Sequence, residues 1–319
     1  MTIQFVETFV PSTIYSIQIQ NVADCWLNST TVSGTFALAD SPNIGDVVIN
    51  EIMFNPLTGG KDWVEVYNNS DKLFNLFGWE LATYSNDTIS GNKIISEHYL
   101  LYPDSYVIIA EDTLQILQNY SEYVLGNSIQ TDIPSYSNDQ GIIYLIATNK
   151  ILDVVSYLDD WHFKLLDDQD GKSLERIDPE GNSNQASNWH TAAESIGFAT
   201  PGKENSQFYP AITNGDFSFT SETISPDNDG LEDVLQVNYE MSSPGLVATF
   251  TIYDDRGRLI AEVLKSELIS LRGTFTWDGI RTDNTKASIG TYIAVFEAFN
   301  LDGSVEFTKR KAFVVAGRL

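Results

Sequence analysis

One cysteine, Cys25, stands in 319 residues, so no disulfide can form within the chain and no CxxC pair exists to hold zinc or exchange thiols. So little cysteine suits a bacterial surface protein and a cytosolic one alike. Basic residues are scarce too. Lys and Arg number 18 against 44 Asp and Glu, and the net charge of −26 makes a field that repels phosphate backbones, which argues against nucleic-acid binding through a basic face. No apolar run approaches the ~20 residues that span a bilayer. The opening MTIQFVETFV has neither the basic n-region nor the apolar h-region of a secretory signal. A chain that starts mid-pattern in this way is expected to be an excised piece of a longer protein. Its three histidines, His98, His162 and His190, lie far apart with none of the close spacings of a zinc helix or finger, and no G-x-S-x-G elbow marks a nucleophile.

What the chain does have is aromatic and β-branched residues: 15 Tyr, 17 Phe and 6 Trp among many Val, Ile and Thr, in short runs bounded by Asn, Asp, Gly and Ser. This is the grammar of strands joined by turns. TIYSIQIQNV (13–22) alternates with a one-residue slip near Asn21. The runs at 106–112, 141–147 and 151–157 have strand length and suit a sandwich core. DTLQILQNYSEY (112–123) is the exception, with Leu114, Ile116 and Leu117 on helical spacing behind a cap at Asp112. The expected fold class is all-β, as tandem immunoglobulin-like β-sandwiches.

Two composition shifts divide the chain. LADSPNIGD (38–46) is the first, and FATPGKENSQFYPAITNGD (198–216), with no sustained apolar period, reads as an exposed linker. Residues 1–44 are too few for an all-β domain with its own core and read as closing strands of an upstream β domain. A middle sandwich is expected over 45–206, a linker over 207–213 and a C-terminal sandwich over 214–319.

The middle segment pairs Glu51 and Glu65 with apolar strand neighbours, where a desolvated carboxylate could act as an acid or base. The competing reading is that both accept backbone or Tyr hydrogen bonds at strand ends. Asp167, Asp168 and Asp170 precede Gly171 in a turn that could partly ligate calcium, and Trp63, Trp79, Trp161 and Trp189 could stack on sugars. Asn50-Glu51-Ile52, then Trp63 through Asn68 (WVEVYN), then Leu76 through Leu81 (LFGWEL), together with SLERIDPEGN (173–182), NWHTA (188–192) and TPGKENS (200–206), resemble the lamin-tail domain of bacterial secreted proteins. The resemblance implies an immunoglobulin-like sandwich that spaces or binds, without catalysis.

In the C-terminal segment SPDNDGLED (225–233) sets oxygen ligands at alternate positions around a glycine, as loops for hard cations do. Ser225, Asp227, Asp229, the Leu231 carbonyl and Asp233 would hold a structural calcium ion. The alternative is a turn whose carboxylates cap backbone amides. Ser at the first position, Gln236 at the twelfth and a following strand pattern (VLQVNYEM) argue against an EF-hand. With IYDDRGR (252–258), WDG (277–279) and GTY (290–292), the loop resembles the Ig-like C-terminal modules of Bacteroidetes surface proteins and flagellar hook-capping proteins. The C-terminal position also resembles domains recognised by the type IX secretion system, and this resemblance implies a secreted protein or one on the exterior of the outer membrane. The expected function is the non-catalytic tail of a large surface protein, for spacing, anchoring, sorting or protein interaction. A module binding glycan or cell-surface polymer is the alternative. Expected partners are further N-terminal domains of the same chain and a cell-surface protein or glycan, with the chain itself monomeric.

Overall fold

Short β-branched and aromatic runs become strands in the computed structural model, which describes residues 6, 8–26, 28–209, 215–303 and 306–317. The first pair, β1 (Ile14–Ala23) and β2 (Ser29–Ala37), forms an antiparallel hairpin with a register shift between Ile19 and Val22, where Asn21 takes φ 58°. Tyr15, Ile17, Ile19 and Val22 share its half-buried face. Its base is tied to the next layer by Leu73 N–H donating to Ser12 Oγ and Asp40 N–H donating to Leu73 O, at 2.7 Å each.

The first sandwich contains β3 (Val47–Met53), β4 (Trp63–Asn68), β5 (Phe74–Asn75), β6 (Glu80–Ser85), β7 (Thr88–Ile94) and β8 (Leu100–Leu101). It continues with β9 (Tyr106–Ala110), β10 (Ser128–Gln130), β11 (Gln140–Ala147), β12 (Lys150–Leu158), β13 (Leu174–Arg176) and β14 (Trp189–Thr191). A six-stranded sheet, β10-β9-β4-β3-β13-β14, faces a four-stranded one, β12-β11-β6-β7. Between them lie Val47, Ile49, Val64 and Val66 from one side and Leu81, Ile143, Leu145 and Val155 from the other. The helix α1 (Thr113–Asn119) begins where expected, with Asp112 accepting from Gln115 N–H. It lays Ile116 on the outer face of the six-stranded sheet, against Met53, Trp63 and Ile108.

All seven residues of β3 are buried, the mark of a strand covered on both faces. Its register against β4 slips between Ile49 and Glu51, so Asn50 is the extra residue of a bulge. Without the bulge Glu51 would follow Ile49 into the core, two residues on. With it, Ile52 enters the core and Glu51 turns to the outer face.

The second sandwich comprises β15 (Asp216–Phe219), β16 (Thr223–Ile224), β17 (Leu235–Glu240), β18 (Val247–Asp254), β19 (Leu259–Leu268), β20 (Arg272–Trp277), β21 (Gly290–Phe299) and β22 (Glu306–Val315). Sheets β15-β17-β20 and β16-β22-β21-β18-β19 pack through aromatic rings: Phe217 stacks on Phe296 at 5.1 Å and Phe250 meets Phe275 edge-on at 4.8 Å. The fold is all-β. Trp277 and Tyr292 are core residues, and the YDDRGR turn is held by Asp254 accepting from the N–H groups of Arg256 and Arg258.

One expectation is corrected. The passage at 198–216 was read as an exposed linker, yet Ala199, Thr200, Asn205 and Gln207 are buried. Its Pro, Gly and Asn follow no apolar period because the segment is held by hydrogen bonds rather than by an amphipathic face. Residues 210–214 lie outside the described residues.

Candidate functional site

Three glutamates form a row on the outer face of the six-stranded sheet. Glu175 on β13 stands opposite Glu51 on β3, which stands opposite Glu65 on β4, and all three are at 0% exposure. Like charges at directly paired positions repel, so the row requires donors or protons. The segment 199–207 supplies donors. Glu51 Oε1 accepts from Ser173 Oγ (2.5 Å) and Thr200 N (2.9 Å). Glu65 accepts from Asn50 Nδ2 (2.8 Å) and Gly202 N (2.6 Å). Glu175 accepts from Thr200 Oγ1 (2.6 Å), Ser206 Oγ (2.7 Å) and Gln207 N (2.9 Å). Asn205 completes the lacing, receiving Asn50 Nδ2 at 2.8 Å and donating to the carbonyls of Asn50 and Arg176.

Burial, and then the neighbouring Glu175, push the Glu51 carboxyl up to about 8. Burial and then Glu51 raise Glu65 well above the ordinary carboxylate range, and burial raises Glu175. Such shifts accompany catalytic acids, but these carboxyls are closed to solvent and committed to a backbone strap, with no substrate-facing atom. The expectation that Glu51 and Glu65 accept backbone hydrogen bonds holds through Thr200 N and Gly202 N, and its detail is corrected: the bonds lie mid-sheet rather than at strand ends, and the side-chain donors are Ser173 and Asn50 rather than Tyr. Glu175 and the strap's donors were not singled out as a site from sequence. Their signal was present in the SLER and TPGKENS motifs.

The other candidates separate. Of the four Trp candidates, Trp63, Trp79 and Trp189 are at 1%, 4% and 2% exposure, which leaves half-buried Trp161 to offer a ring face, and it already stacks on Trp189 at 6.3 Å. His162 and His190 both adjoin Thr191, while His98 stacks on Phe77 elsewhere. Burial holds His162 down to about 3, so it is a neutral core group. In the 167–170 turn Asp168 pairs with Lys172 (2.6 Å) and Asp170 accepts from Asn55 Nδ2 (3.0 Å).

The acidic loop does converge. Carboxylate oxygens of Asp227, Asp229 and Asp233 lie within 4.8 Å of one another, Asp227 and Asp229 being exposed and Asp233 half-buried. Gly230 (φ 89°), Asn228 (φ 64°) and Glu232 (φ 53°) take left-handed conformations that curl the chain around them. The same carboxylates also cap amides: Asp233 accepts from Asn228 N (2.6 Å) and Gly230 N (2.8 Å), and Asp229 accepts from Leu231 N (2.9 Å). Ser225 is half-buried beside the loop, and its carbonyl accepts from Asp227 N at 2.7 Å. The Leu231 side chain is exposed. Three hard oxygen donors this close fit a divalent cation, and a carboxylate oxygen retains a lone pair after accepting one amide.

Residues 40–159 match the family model of the Lamin Tail Domain, and residues 218–314 match that of the CHU_C Type IX secretion signal domain. Glu175 and the strap fall between the two matched stretches. No curated protein matches. Among solved structures, a DUF4876 family protein from Bacteroides thetaiotaomicron is similar at 14% identity and TM-score 0.28, over 57% of this chain and 79% of that one. Dimeric latent PorU from Porphyromonas gingivalis is similar at 10% identity and TM-score 0.26, over 90% of this chain and 23% of its own. PorZ, a surface component of the type-IX secretion system of Porphyromonas gingivalis, is similar at 11% identity and TM-score 0.23, over 92% and 41%. At these TM-scores the likenesses carry no weight for fold or function.

Proposed function

We propose that a lamin tail domain followed by a type IX secretion signal domain, the arrangement this chain has, makes a non-catalytic tail that spaces, anchors and sorts a larger protein at the cell exterior. The observation that carries this reading is the commitment of the buried carboxylates. The strongest acid/base candidates in the molecule, Glu51, Glu65 and Glu175, are spent on the strap. A hydrolase would need converging groups open to substrate. A sugar-binding module would need a platform, and burial of Trp63, Trp79 and Trp189 weighs against one at those three positions. The test is export of a reporter joined ahead of this chain in a bacterium with a working type IX system. Export should be lost when residues 215–319 are removed or the system is disabled. Export that persists in both cases overturns the sorting role.

The acidic loop belongs to the same reading as a structural calcium site. Asp227, Asp229 and Asp233 would hold the ion, with Ser225 and the Leu231 carbonyl as further oxygen ligands. Calcium would neutralise their mutual repulsion and fasten the loop to the start of β17. Titration calorimetry on the demetallated chain should show calcium binding and a higher melting temperature with calcium, both lost in Asp229→Ala. If the unmodified chain does not bind, the loop is an amide-capped turn.

A further inference from the structure

Gln207 is fully buried and belongs to both sandwiches at once. Its backbone N–H donates to Glu175 Oε2 (2.9 Å) on the six-stranded sheet. Its side chain reaches the second sandwich, where Oε1 accepts from Gly245 N (2.8 Å) and Nε2 donates to Ile269 O (3.3 Å). One residue earlier, Ser206 Oγ donates to Glu175 while Ser206 O accepts from Leu271 N at 2.8 Å. Gly245 is closely fitted from the other side: it takes φ +71°, and a Cβ there would stand 2.7 Å from Nε2 of His190. The turn Glu194–Ile196 packs beside β19 in the same region.

Neighbouring domains on one chain ordinarily move against each other unless their interface is large and apolar. Here a buried amide whose oxygen and nitrogen are both engaged across the junction favours one arrangement, because leaving either buried and unpaired is costly. We propose that Gln207 and Gly245 lock the signal domain onto the lamin tail domain in a single orientation, so that the two sandwiches travel as one rigid body. The locked pole of the signal domain is the one where β17 and β19 end and β18 and β20 begin. The acidic loop, which leads into β17, is at the opposite pole and faces away from the lamin tail domain. The strap therefore acts twice, closing the first sandwich and presenting the free end of the second.

Small-angle scattering of the full chain tests this, with calorimetry confirming that both sandwiches remain folded. The unmodified chain should fit one arrangement, and Gln207→Ala should give a larger radius of gyration and a broadened distance distribution. Gly245→Ala should do the same, since φ +71° also disfavours a Cβ, and adding His190→Ala should recover only part of the compact profile by removing the ring that the Cβ meets. If Gln207→Ala does not fold, the Gly245 and His190 variants decide the matter alone. Unmodified scattering that requires many relative orientations overturns the lock. So does a folded Gly245→Ala, with His190 in place, whose profile matches the unmodified chain.

Discussion

Glu51 and Glu65 face each other across two antiparallel strands, both at 0% exposure, and among the described residues no Lys, Arg or His forms an ion pair with either. A bulge at Asn50 creates that pairing, and a strap carrying Thr200 and Gly202 covers it. Two facing carboxylates without a cation are tolerable only when protons or strong donors offset their repulsion.

Stability should therefore fall as pH rises, contrary to ordinary acid denaturation. Glu51 has its folded pKa raised from 4.5 to about 8, so the folded state holds a proton that the unfolded state releases in between. Its contribution is fully present below the unfolded pKa and is lost as pH climbs through the folded one. Melting temperature should drop between pH 5 and pH 9, by about 2–4 °C per kcal/mol for a domain of this size. Glu51→Gln should flatten the drop, since the amide does not titrate. A melting temperature that is level or rising over this range contradicts the protonated row.

Arg176 should be among the least replaceable side chains. It is 2% exposed, pairs with Asp153 at 2.9 Å, and also donates to the carbonyls of Ile49, Asp178, Pro179 and Gly181. Arg176→Met leaves Asp153 buried without its cation and should cost about 3–5 kcal/mol in urea unfolding. A loss under about 1 kcal/mol would mean that the bridge contributes little beyond what a packed apolar residue supplies.

Asp233 should matter even without calcium. It caps two loop amides, Asn228 and Gly230, so Asp233→Ala in chelator should lower stability by about 1–2 kcal/mol. Urea unfolding in chelator gives the measurement, and an unchanged midpoint would show that the loop's shape does not depend on those caps.

Much of this was legible in the sequence, for particular reasons. β11 and β12 announce themselves as apolar runs of strand length, Asp112 is a helix cap that behaves as one, and the three Asp side chains of SPDNDGLED converge as their alternate spacing suggests. The strap was not legible. TPGKENSQ carries the residues of a linker, and its burial depends on long-range partners 149 residues away, as between Glu51 and Thr200, which no local pattern encodes. The depth of Trp63 and Trp79 was equally hidden, because no local pattern shows that α1 covers Trp63 on the outer face or that Trp79, just before β6, enters the core between the sheets. The outward turn of Glu51 depended on one bulge residue, detectable only as a break in alternation between Ile49 and Ile52.

If the glutamate row holds the strap closed, native-state hydrogen exchange of the Thr200, Gly202 and Gln207 amides will register it. These three N–H groups end on Glu51, Glu65 and Glu175. The account expects them to exchange as slowly as strand amides of β3 and β4, opening only with the whole sandwich. Exchange at the pace of exposed loop amides would show that the strap is not latched, and the carboxylates would then need another explanation.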